Sequence, residues 1–351
     1  MKTSTQHLRY LGYGLCLAVS LYNCKPKDVE SLTPFTYTFK GFDDVKLPDI
    51  VPTEPAAVVA TAGSVASSTV TAAVSSGLAN MMATGQVPAA VQQAAAAVNQ
   101  AVPAEKATQL VASFTPDVIN SLATSGVPAS MKADIAAIAA NPALAAYWPK
   151  FTMPTVNGKA VGGRIGVGTT ATLLKPVIIT FARADDDACK SAASAAVNTA
   201  LEKLKQTRDA QTAAVNQTFD QRKGAAQNET ATCKSSKTSS YATMRTDARK
   251  QYDQTVASLE TGKTVLGETM YNLLKVMYSV AYAQTLEGIS TLERADATAC
   301  EAVTTTKITN AETAKTTDLN KVTAGFNNAE AALTKALNQA IASCHNQGNG
   351  G

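Results

Sequence analysis

The residues of this chain best placed for chemistry are four cysteines, and the chemistry is cross-linking. Cys189 and Cys233 are 44 residues apart (189 to 233), and so are Cys300 and Cys344 (300 to 344). No two cysteines stand in Cys-x-x-Cys spacing, so a dithiol redox site or a zinc ribbon is not indicated. Two more, Cys16 and Cys24, lie near the start of the chain. Four thiols at matched intervals suit two disulfides, which persist in oxidising compartments; the alternative is four buried free thiols.

Other reactive residue types are sparse. The two histidines are His7 and His345, which leaves no material for Ser/His or Cys/His catalysis and little for zinc. Asp185, Asp186 and Asp187 read as acidic residues at a helix N-terminus rather than as a cation site. Residues 257–264, with Gly262, Lys263 and Thr264, fit a permissive phosphate-loop pattern. That chemistry needs a strand running into the loop, whereas here the motif interrupts a helical apolar pattern. No catalytic, cofactor-binding or metal-binding residue is assigned, and no cofactor is expected. A net charge of +4 over 351 residues carries no nucleic-acid footprint.

The N-terminus has Lys2 and Arg9 ahead of an apolar run at 11–21, the layout of a secretory signal. The run is shorter than the roughly 20 residues a spanning helix needs. It ends Leu21, Tyr22, Asn23, Cys24, followed by Lys25, Pro26 and Lys27. Over residues 1–24 this resembles a bacterial lipobox, with Asn23 where the family has Gly, Ala or Ser. The resemblance implies lipidation of Cys24 after removal of residues 1–23. It also implies a lipid-anchored protein of the cell envelope, in the outer membrane, on its periplasmic or surface face. Cys16 would leave with the signal.

Residues 24–55 read as a lipid-anchored tether, because Pro26, Pro34, Pro48, Pro52 and Pro55 punctuate a polar stretch. Residues 56–148 are Ala-rich, with prolines at 88, 103, 116, 128 and 142. Proline suits the first helical turn and not the interior, so the spacing predicts one short helix per interval. Gly85 and Gly126 fall at helix C-terminal positions, and Ile135, Ile138, Leu144 and Trp148 should face a common core. Residues 149–184 form a Gly-rich connector, with a hairpin turn at Asn157 and Gly158 and a strand at 177–181.

From residue 177 onward there is no proline. Apolar residues recur there at three-and-four spacing, the pattern of long packed helices. One seam runs through Tyr252, Val256, Leu259, Leu266, Met270, Leu273, Met277 and Val280; another runs from Leu319 to Leu337. The fold class is mainly α: short Ala-rich helices, then a long-helix antiparallel coiled coil or three-helix bundle over 185–346, with a small β element between and a flexible tail at 347–351. In an up-down-up bundle the first and third helices run parallel. Equal cysteine spacing then favours Cys189–Cys300 and Cys233–Cys344. The rival folds each segment back on itself and joins Cys189–Cys233 and Cys300–Cys344. The 67 residues from Cys233 to Cys300 exceed a simple return of 44, so the middle helix either overshoots or breaks at Gly262, Gly267 or Gly288, with 234–240 and 287–288 as candidate turns.

The function expected is a non-enzymatic envelope lipoprotein with a structural, spacer or interaction role through a disulfide-tied helical rod. Its partners would be the membrane, through the lipid, and another envelope or surface protein, and its seams suit self-association. One alternative is a membrane-active, pore-forming type of helical protein using the apolar stretch 265–283. Another is an enzyme with its site in 56–184.

Overall fold

The structure, a computed structural model, describes residues 37–161 and 188–347. Cys24, the glycine cluster at 162–168, the strand expected at 177–181, Asp185, Asp186 and Asp187, and the tail beyond 347 lie outside the described residues. The fold is mainly α, with short helices followed by long ones. In chain order, β1 (Ala60–Thr61) and β2 (Ser64–Ala66) lead into α1 (Thr69–Thr84), α2 (Ala89–Ala101), α3 (Ala104–Ser113), α4 (Pro116–Ser125) and α5 (Ala129–Ala139). A 3₁₀ turn (Pro142–Tyr147) and strands β3 (Lys150–Thr152), β4 (Thr155–Val156) and β5 (Lys159–Ala160) follow. Then come α6 (Ala188–Thr261), the four-residue α7 (Lys263–Leu266) and α8 (Glu268–Gln347). The chain forms two compact units: the first holds described residues 37–50, 188–212 and 320–347, the second 51–161 and 213–319.

Helices α2 to α5 begin at or directly after Pro88, Pro103, Pro116 and Pro128, as the proline spacing predicts. Ser68 caps α1, its Oγ accepting from Val70 N and Thr71 N at 3.1 Å each. Gly85 ends that helix at φ 66° and donates its N–H to Met81 O, the left-handed cap that glycine adopts without a Cβ penalty.

In the second unit the short helices sheathe the closed end of the α6–α8 hairpin. Val74, Leu78, Met81, Val98, Leu110 and Ile135 share one core with Leu259, Leu273, Leu274, Met277 and Val280. The apolar stretch at 265–283 is therefore largely core, and no described helix is long and apolar enough to cross a membrane. Strand β4 pairs antiparallel with β1 and β5, and β2 pairs with β3. The β4–β5 turn is the predicted one, with Asn157 at φ 50° and Gly158 at φ 75°, as a two-residue hairpin with left-handed central residues requires.

In the first unit, Ala193, Val197, Leu201 and Leu204 of α6 meet Ala329, Leu333, Leu337 and Ala340 of α8, with Phe42 buried against them. Residues 37–50 lie extended along these helices. Phe39, Val45 and Leu47 touch the same core, Gln211 donates to Pro48 O at 2.9 Å, and a Cβ on Gly325 would come within 3.0 Å of Pro48. In the second unit the extended chain is held by Asp318, only 3% exposed, which accepts from Thr53 N at 2.8 Å and from the Thr53 hydroxyl. Arg222 donates to Thr53 O and Asn310 to Ala56 O, each at 2.8 Å. Residues 37–55, read from sequence as part of a tether, are thus an extended strap bound to the helices.

Three expectations for the long helices need correction. There are two long helices among the described residues, not three, because α6 continues through 234–240 without a turn to Thr261. The expected single seam from Tyr252 to Val280 is split: Tyr252, Val256 and Leu259 sit on α6, and Met270, Leu273, Met277 and Val280 sit on α8. The reversal uses Gly262 and Gly267, the latter at φ 72°, while Gly288 stays helical. Neither the favoured nor the rival disulfide pairing forms. Cys189 is bonded to Cys344 (Cα–Cα 5.7 Å) and Cys233 to Cys300 (Cα–Cα 5.9 Å), within the range that a disulfide requires. The physical reason is direction. Forty-four residues along one helix from Cys189 to Cys233 match forty-four residues back along an antiparallel helix from Cys344 to Cys300, so equal spacing serves antiparallel helices as well as parallel ones.

Candidate functional site

Within the second unit, the start of α1, the end of the 3₁₀ turn and facing stretches of α6 and α8 enclose a half-open cavity of about 100 Å³. Short local bonds set its walls. Ser68 Oγ donates to Ala146 O at 2.5 Å and Thr71 Oγ1 to Tyr147 O at 2.6 Å, which ties α1 to the 3₁₀ turn. Trp148 Nε1 donates to Ala139 O at 3.0 Å and fixes that turn to α5. Opposite, Tyr278 and Tyr282 share one face of α8 through their i, i+4 spacing. Tyr282 stacks on Tyr252 of α6, with ring centroids 4.7 Å apart and planes at 21°. The Tyr278 hydroxyl pairs with Ser75 Oγ at 3.0 Å and the Tyr252 hydroxyl with Ser279 Oγ at 3.1 Å.

Tyr147 differs from these. It is 9% exposed and lines the cavity, and its hydroxyl has no hydrogen-bond partner among the described residues. Burial pushes the Tyr278 phenol up to about 12 and raises Tyr147, Tyr252 and Tyr282 as well. All four are neutral at physiological pH and act as hydrogen-bonding groups, not as bases. The rest of the polar lining is hydroxyls and the Gln251 amide, with no carboxylate, amine, imidazole or thiol. Such a lining can offer hydrogen bonds, and it holds no group poised to move a proton near neutral pH.

A buried polar cluster positions the chain that enters this cavity. Asp296, 2% exposed, accepts from the Tyr241 hydroxyl at 2.5 Å and from Gly63 N at 3.3 Å, and pairs with Lys237 at 3.5 Å. Burial first, then the Asp296 hydrogen bond, holds the Tyr241 phenol well above its ordinary value. A Cβ on Gly63 would come within 2.9 Å of Leu292 and 3.2 Å of the Tyr241 hydroxyl. The β1–β2 corner is therefore pinned to both long helices, and β2 runs on into Ser67 and Ser68 at the cavity.

A second cluster closes the hairpin turn. Glu260 accepts from Lys275 at 2.8 Å and from the Tyr271 hydroxyl, and Lys263 sits 4.7 Å over the Tyr271 ring. The Lys275 bond first, then Tyr271, holds the Glu260 carboxyl below the usual range. This accounts for the phosphate-loop pattern at 257–264. Its lysine faces a tyrosine, a helix precedes it, and a Cβ on Gly262 would overlap Met81.

A larger groove of about 730 Å³ runs between α4, α5 and α8, with walls such as Leu122, Ile135 and Leu286 and only Lys132 and Glu287 as charged groups. It lacks the converging hydroxyls of the tyrosine cavity. Among the described residues no group of three or more His, Cys, Asp or Glu could hold a metal ion.

Of the residues singled out from sequence, the structure brings Cys189 to Cys344 and Cys233 to Cys300, and Cys24 lies outside the described residues. Sequence reading missed the cavity, since it placed Tyr252 in a helix seam and assigned Tyr147, Tyr278 and Tyr282 nothing. One signal was available: five of the ten tyrosines fall within 241–282. Comparison with protein-family models, curated proteins and solved structures finds no match to this chain.

Proposed function

We propose that this chain is an exported, lipid-anchored and non-enzymatic protein of the bacterial cell envelope, whose disulfide-stapled helical hairpin serves a structural or spacer role and holds a partner protein. The observation that carries this reading is the pair of disulfides joining residues 155 and 67 positions apart. Bonds of this kind persist in oxidising compartments and are rare in the cytosol. The signal-like start and the lipobox resemblance at Cys24 point the same way.

The bound strap sharpens the anchor. If Cys24 carries lipid, residues 25–36 join it to the body, and 12 residues (25 to 36) span at most about 40 Å. The lipid would therefore keep the first unit close to the membrane. The partner would be another envelope or surface protein, or a second copy of this chain; the near-balanced charge gives nucleic acid no foothold.

The test is metabolic labelling with palmitate in a bacterial host, together with membrane fractionation and thiol alkylation of the four paired cysteines. Label on the wild type, loss of label and release from membranes in Cys24→Ala, and no alkylation before reduction would support the reading. An unlabelled, alkylatable protein in the cytosol would refute it.

A further inference from the structure

We infer that the cavity walled by Tyr252 and Tyr282 binds adjacent hydroxyl groups of a small uncharged polyol or sugar. The cavity's lining favours this class over charged or purely apolar ligands. No charged side chain lines the cavity, and Arg249, beside the Tyr282 hydroxyl, is already engaged by Asp253 and Asn120, so a charged ligand would lack a free ionic partner, which a half-buried site disfavours. A purely apolar ligand would strip water from Ser75, Tyr147 and Tyr278 without replacing its hydrogen bonds. A polyol meets both demands. Its C–H edges can lie against the stacked rings of Tyr252 and Tyr282, and its hydroxyls can both donate and accept.

The unbonded Tyr147 hydroxyl is the clearest pointer. It makes no hydrogen bond among the described residues and is not sealed from solvent, so it can exchange a water for a ligand hydroxyl. The Ser75–Tyr278 pair keeps acceptor capacity free, because each hydroxyl oxygen has two lone pairs. Size limits the ligand. A cavity of about 100 Å³ has room for about three waters, enough for glycerol or for one hydroxylated edge of a single sugar ring entering end-on.

The full-length, disulfide-bonded protein should be tested by saturation-transfer NMR and titration with two probes, glycerol and glucose. Binding of either probe is expected. Tyr147→Phe, which keeps the ring and removes the hydroxyl, should weaken it about three- to tenfold, as loss of one hydrogen bond implies. Ala72→Phe, on the exposed rim, should abolish binding by filling the mouth, and keeps the question answerable if Tyr147→Phe fails to fold. Thr305→Ala, on the exposed face of α8, should bind like the wild type. Tighter binding of glucose assigns a sugar edge, and tighter binding of glycerol a free polyol. If neither probe binds, or if binding is unchanged by Ala72→Phe, the assignment is wrong. The cavity lies wholly in the second unit and uses neither Cys24 nor the disulfides, so the export experiment and this one fail independently.

Discussion

In the first unit, α6 and α8 meet through a thin seam in which Ala193, Ala200, Ala329 and Ala340 alternate with Val and Leu, and the cover is an extended strap anchored by Phe42. In the second unit the same two helices carry Leu259, Leu274, Met277 and Leu286, and five short helices bury them. Side-chain size accounts for the difference. Alanine lets two helices approach closely but contributes little burial per residue, whereas each Leu or Met contributes about 1.5–3 kcal/mol when fully buried. A helix pair with a small-residue seam is held by other means, here Cys189–Cys344 and the strap. A pair with large residues recruits a sheath, and the sheath brings with it the hydroxyls that line the tyrosine cavity.

The contrast makes the two regions break differently. Replacing Cys189 and Cys344 by alanine removes the constraint on the outer loop. With Cys233–Cys300 intact, loop-closure entropy puts the loss at about 4–5 kcal/mol. Hydrogen exchange should show 37–50, 188–212 and 320–347 losing protection while 51–161 keeps it. Uniform loss across both regions would mean that the sheathed core is not independent of the outer bridge. Leu274→Ala, at a position with no exposure, should cost about 2–5 kcal/mol in a denaturant melt and should leave protection at 193–204 unchanged.

Smaller changes sharpen the account of strap and turn. Asp318→Ala leaves the Thr53 N–H and hydroxyl without their acceptor and should cost about 1–3 kcal/mol. Amide exchange should rise at 51–58 first; an unchanged pattern there would mean the strap is held by other contacts. The smallest effect is acidic. The Glu260 carboxyl is held below its unfolded value of about 4.3, so its contribution is present above that pH and is lost as pH falls through the lower folded value. Glu260→Gln should melt below the wild type at pH 7, and the two should converge near pH 3. A constant gap would show that the carboxylate charge is not what closes the turn.

Much of the architecture was legible because it rests on local rules. Prolines 88, 103, 116 and 128 mark helix starts because a missing N–H is harmless there, and Asn157 with Gly158 marks a turn because it needs two left-handed residues. The direction of the long helices was not legible, since equal cysteine spacing is unchanged when one helix is reversed. The turn at Gly262 and Gly267 was masked by apolar residues that keep helical spacing on both sides of it, because both arms bury the same core. The strap's attachment depends on Asp318, Arg222 and Asn310, more than 160 residues away in sequence from Thr53 and Ala56. The cavity draws on β2, α1, the 3₁₀ turn, α6 and α8, and only the clustering of tyrosines within 241–282 hinted at it.

The central claim is an antiparallel helical hairpin stapled at two levels, and a peptide mass map of the native, non-reduced protein tests it most directly. The account predicts cross-linked peptides joining Cys189 to Cys344 and Cys233 to Cys300. Links of Cys189 to Cys300 and Cys233 to Cys344, links of Cys189 to Cys233 and Cys300 to Cys344, or four free thiols would each contradict it.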